Sequence, residues 1–89
     1  MTMGKSYYTV RLSFPNYTTQ AFRAELTEAQ AKEITAMLSR SKKDDLVKGY
    51  HIGRPAEAEW VHAMVFSADA LKTELAYLID TERRLSVDR

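Results

Sequence analysis

Ser6-Tyr7-Tyr8-Thr9-Val10-Arg11-Leu12-Ser13-Phe14 alternates without a break. Successive side chains of a strand point to opposite faces, so Tyr8, Val10, Leu12 and Phe14 share one face while Tyr7, Thr9, Arg11 and Ser13 share the other. The pattern predicts a half-buried strand. Pro15 and Asn16 follow with turn chemistry, and Gln20 to Leu26 alternates again, with Phe22, Ala24 and Leu26 opposed to Ala21, Arg23 and Glu25. The two runs predict a β-hairpin with one apolar face, and an apolar sheet face needs a layer to cover it.

The next signals supply that layer. Thr27 and Gln30 have the spacing of a capping box, in which the Thr hydroxyl accepts from a free backbone N–H and the Gln side chain reaches back to the cap. Ala31, Ile34, Met37 and Leu38 then recur at helical spacing, with Glu28 and Lys32 as an i,i+4 pair on the wet side, and the helix is expected to end near Ser41. Lys42 to Val47 reads as a connection, and Lys48 to Ile52, set between Gly49 and the Gly53/Pro55 pair, as a short strand. Glu59 to Phe66 is apolar on both faces, with Trp60, Met64 and Phe66 on one and Val61, Ala63 and Val65 on the other, which predicts a strand interior to the sheet. Ser67 caps a second helix that has Asp69 in its first turn, a stripe of Leu71, Leu75, Leu78 and Ile79, and Arg83 and Arg84 towards its end.

At an offset of 40 residues Leu26-Thr27 aligns with Phe66-Ser67, Lys32 with Lys72, Ala36 with Ala76 and Leu38 with Leu78. The matches are few and Ile34 falls against Glu74, which marks shared architecture rather than duplication. The expected fold is therefore α+β, a four-stranded and mostly antiparallel sheet with two helices on one face, in the order ββα-ββα. The helices would cover Tyr8, Val10, Leu12, Phe14, Phe22, Leu26, Trp60, Met64 and Phe66, and the opposite sheet face would stay open.

Length and composition set the outer bounds. Eighty-nine residues suffice for one core, and the chain is expected to be a single domain over 1–89 with 1–5 and 86–89 as frayed tails. Hydrophobic residues at 45% and charged residues at 28% exclude the composition of a disordered chain. The absence of cysteine removes disulfides, thiolate metal sites and thiol nucleophiles, as suits a reducing compartment. The longest apolar run, Leu75 to Ile79, falls far short of the roughly 18 residues of a membrane span, so a cytoplasmic protein with no membrane partner is expected. The net charge of +1 is unevenly spread: residues 1–24 carry +3, residues 25–39 −2, residues 40–54 +3 and residues 55–89 −3.

No constellation reads as an active site. His51 and His62, with Glu57 and Glu59 between them, match no ligand spacing, and no nucleophile partner for either histidine can be identified; no catalytic residue, metal or cofactor is expected. Gly49 and Gly53 precede no helix and so form no phosphate cradle. What remains is surface. Tyr7, Arg11 and Arg23 on the hairpin beside Val61, Ala63 and Val65 would join a polar, arginine-bearing half to an apolar stripe, the composition of a contact face. Its expected occupant is another protein chain, self or foreign, with a homodimer foremost; glutamates in place of Val61 and Val65 would abolish that contact.

A second expectation rests on Arg40, Lys42, Lys43, Lys48, Tyr50, His51 and Arg54, a basic segment with an aromatic interleaved, as a loop contacting nucleic-acid phosphates or an acidic partner would be. With the open sheet face it defines a nucleic-acid-binding alternative, although Asp44 and Asp45 offset two of its charges. The leading expectation is a non-enzymatic protein-binding module acting by occlusion or assembly. Short, cysteine-free, self-contained chains are common among accessory proteins of phages and mobile elements that inhibit a host or defence complex, anti-CRISPR proteins among them; no motif here carries that comparison.

Overall fold

The computed structural model describes residues 4–54 and 64–87. Its elements are β1 (Ser6–Ser13), β2 (Thr19–Leu26), α1 (Glu28–Lys43), β3 (Gly49–Gly53), β4 (Val65–Ser67) and α2 (Ala68–Val87). They form a four-stranded sheet in the order β3-β1-β2-β4. β1 is central and antiparallel to both β2 and β3, pairing Val10 with Phe22 on one side and with Ile52 on the other.

β4 departs from the antiparallel expectation. It runs parallel to β2, with Arg23 opposite Val65, Ala24 opposite Phe66 and Glu25 opposite Ser67, which makes the sheet mixed. The direction follows from how the two halves pack: β2 leads through the Thr27 cap into α1, β4 leads through Ser67 into α2, and the two strand-cap-helix units lie side by side pointing the same way. The helices accordingly advance together, Glu33 meeting Lys72 at 2.6 Å and Met37, Arg40 and Asp44 lining one recess with Ala76, Ile79 and Arg83. Among the described residues β4 also ends the sheet instead of lying inside it. Of its described residues, Phe66 packs against the core and Val65 is 42% exposed on the opposite face.

The core lies between the sheet and the helices. Val10, Leu12, Phe14, Phe22, Ala24 and Leu26 meet Ala31, Ile34 and Leu38 of α1 and Leu71, Leu75 and Ile79 of α2, all of them buried. Each Leu or Ile enclosed in this way contributes about 1.5–3 kcal/mol, which is the main reason two helices of moderate intrinsic propensity stay folded here. Tyr8, Tyr50, Ile52 and Phe66 pack at the margin, Phe66 edge-on to Phe22 at 5.7 Å. Met64, expected in the core, is 75% exposed because it precedes β4 and so stands outside the paired register. Trp60 lies outside the described residues.

The capping box is complete, with Gln30 N–H donating to Thr27 Oγ1 and Thr27 N–H to Gln30 Oε1. At its other end α1 runs to Lys43, two residues past the expected stop. Leu46 N–H then donates to the Ser41 carbonyl and Asp45 N–H to the Lys42 carbonyl, the paired bonds of a Schellman motif, with Asp45 at φ 58° in the position that usually belongs to glycine. This cap folds Leu46 and Val47, which read as connection, down into the core. α2 extends through Val87, so Ser86 and Val87 are helical rather than tail.

Candidate functional site

Cross-strand partners share a face, so the register places every side chain on the sheet surface away from the helices. Four rows run across it. Gly49, Ser13 and Thr19 make the one nearest the hairpin turn, His51, Arg11 and Ala21 the second, Gly53, Thr9, Arg23 and Val65 the third, and Tyr7, Glu25 and Ser67 the fourth. Tyr7, Arg11, Arg23 and Val65 are thereby gathered on one surface, with Arg23 and Val65 directly opposed on adjacent strands. Val61 and Ala63, the other two expected contact residues, lie outside the described residues.

The rows differ in exposure. Tyr7 is 49% and Val65 42% exposed, and Arg11 is exposed. Thr9 is only 5% exposed and Arg23 half-buried with its Nε enclosed, so the face is not open throughout as expected. Thr9 stands between Tyr7 and Arg11 on its own face of β1, with Arg23 across from it on β2 and Gly53 across from it on β3. Among the described residues Thr9 Oγ1 has no hydrogen-bond partner. Burying a hydroxyl unpaired costs stability, and the cost falls at the centre of the face.

The basic segment does not form the single loop that its sequence suggested. β3 runs through it, and a strand sends alternate residues to opposite faces. Tyr50 therefore turns to the helix side opposite Leu12, while His51 stays on the far face with its ring along Gly53, close enough that a Cβ at Gly53 would lie 3.1 Å from Nε2. Lys48 and Arg54 flank the strand at opposite ends, roughly 20 Å apart at about 3.3 Å per residue. The Arg54 guanidinium stacks 5.9 Å from the Tyr8 ring, and the Lys48 ammonium lies 4.7 Å from the Tyr17 ring. Arg40, Lys42 and Lys43 belong to the last turn of α1, where cations complement the negative end of the helix dipole. Tyr17, at φ 68° in the hairpin turn, carried no sequence signal for a role.

Among the described residues no group of three histidine, aspartate or glutamate side chains converges as a metal site would, and no helix is long and apolar enough to cross a membrane. Glu57, Glu59 and His62 of the His/Glu cluster lie outside the described residues. No protein-family model, no curated protein and no solved structure matches the chain.

Proposed function

We propose that this protein is a non-enzymatic protein-binding module whose contact surface is the sheet face opposite the helices. The observation that carries this reading is the opposition of Arg23 and Val65 in one row, with exposed Tyr7 and Arg11 beside them and Met64 exposed just before β4. Aromatic, arginine and aliphatic side chains around a partly desolvated centre are the composition of an interface core, where a few anchors supply most of the binding energy. The partner is a protein chain, a second copy or a foreign one, and the module acts by assembly or by covering that partner's surface.

The test is charge placed on the face at positions that can accept it. Tyr7→Glu and Val65→Glu each replace an exposed side chain and leave the core intact. The native chain should form a dimer at micromolar concentration or retain a nuclease-resistant partner from a cell extract, and each variant should lose that association at least tenfold with an unchanged far-UV spectrum. Association that survives both substitutions, or a chain that stays monomeric and retains nothing, would sink this proposal.

A further inference from the structure

The hairpin turn and the end of α1 meet at one end of the molecule. Lys48 N–H donates to the Ser13 carbonyl at 2.7 Å, and Pro15, Lys42, Asp45, Val47 and Lys48 line a recess of about 290 Å³. On the other side of the α1 terminus a second recess of about 250 Å³ is lined by Met37, Ala76 and Ile79 together with Arg40, Asp44 and Arg83. Arg40, Lys42, Lys43, Lys48 and Arg83 thus surround this end against Asp44 and Asp45, and among the described residues Arg40, Lys42 and Lys43 make no ion pair. The α1 carbonyl terminus adds about half a negative charge, which leaves the end positive.

Tyr17 gives that charge a direction. Tyr17 N–H donates to the Phe14 carbonyl and Phe14 N–H to the Thr18 carbonyl, so the turn is a three-residue hairpin loop whose last residue is left-handed. Glycine or asparagine takes that position without strain; a tyrosine there is strained, and its side chain is 83% exposed, so it returns little burial. The Lys48 ammonium covers one face of the ring at 4.7 Å.

We infer that this basic end is a binding site for single-stranded nucleic acid, with phosphates held by Lys42, Lys48 and their neighbours and a base stacked on the Tyr17 ring. Stacking on one aromatic with phosphates held by nearby cations is how unpaired strands are bound without sequence preference. An acidic protein would engage the same cations, and competition with polyglutamate separates the two. The site is separate from the sheet-face contact and stands or falls without it.

Fluorescence anisotropy with a labelled 15-nucleotide oligothymidine tests it. With about three phosphates neutralised, affinity should fall roughly 20-fold between 50 and 200 mM salt, and the Lys42→Gln, Lys48→Gln double variant should flatten the log-log salt slope by about 1.4. Tyr17→Asn should weaken binding roughly fivefold or more while holding or raising Tm, since asparagine tolerates the left-handed backbone. No binding at 50 mM salt, equal displacement by polyglutamate, or full affinity in Tyr17→Asn would each overturn the inference.

Discussion

The parallel register of β4 places Val65 beside Arg23, and one contact holds that register in a measurable way. Phe22 and Phe66 meet edge to face, 5.7 Å between centroids and 87° between planes, with Phe22 8% exposed and Phe66 half-buried. Such a pair is worth about 0.5–1.5 kcal/mol beyond the area it buries. Phe22→Leu should cost about 1–1.5 kcal/mol and Phe66→Leu about 1 kcal/mol, and the double variant should cost less than their sum by the coupling of the rings. A domain of this length has roughly 4–13 kcal/mol of stability, so all three variants remain folded enough to measure. Urea unfolding at 25 °C, with a slope near 1–1.5 kcal/mol per molar for so short a chain, would show the coupling as a midpoint roughly 0.3–1.5 M higher than additivity allows. Coupling within about 0.3 kcal/mol of zero would mean that the rings do not touch, and the Ala24 to Phe66 pairing would be wrong.

Three further outcomes are expected. Asp45→Gly relieves the left-handed position of the Schellman cap and should stabilise by about 0.5–1 kcal/mol, raising Tm by roughly 3–5 °C in a thermal melt; an unchanged or lower Tm contradicts the cap geometry. Thr9→Val keeps shape and β-branching while removing the unpaired buried hydroxyl, and should stabilise by about 1 kcal/mol in the same urea assay, whereas a loss of stability would show that the hydroxyl is bonded. Lys72 has its pKa raised above 10.5, chiefly by its hydrogen bond to Glu33, against a smaller opposing effect of desolvation. A raised folded-state value means that the contribution is complete below about pH 10.5 and is lost as pH rises through the folded pKa, so Lys72→Gln should flatten the alkaline end of the stability profile; an identical profile refutes the pairing.

The elements whose signals are local were readable from the chain itself. Alternation at residues 6–14 and 20–26 located β1 and β2 with their faces, and Thr27 with Gln30 located the start of α1, because strand pleat and helix cap are encoded within a few residues. Strand direction is not encoded in that way. The apolar stretch ending in Phe66 looks the same whether it runs parallel or antiparallel and whether it lies inside or at the end of a sheet, and only the packing of α2 along α1 decides both. The Schellman cap and the left-handed last residue of the hairpin loop escaped because Asp45 and Tyr17 occupy positions whose usual signal is glycine. At the candidate site, the alternation of β1 and β2 was enough to put Tyr7, Arg11 and Arg23 on one face, but not to show that Thr9 between them is buried. Tyr50, His51 and Arg54 part from the rest of the basic segment because β3 turns successive residues to opposite sides and carries the chain away from the end of α1, a consequence of pairing Leu12 with Tyr50 and Arg11 with His51.

The absence of cysteine allows the central claim to be measured at a single atom. A thiol introduced by Val65→Cys reports on the sheet face, and one introduced by Ala36→Cys reports on the exposed side of α1. Their alkylation rates should be compared in dilute protein, in concentrated protein and in cell extract treated with nuclease. If the face is the contact surface, the thiol at position 65 is protected at least tenfold under one of the two crowded conditions while that at position 36 reacts at its dilute rate; equal rates at both positions under all conditions would contradict the account.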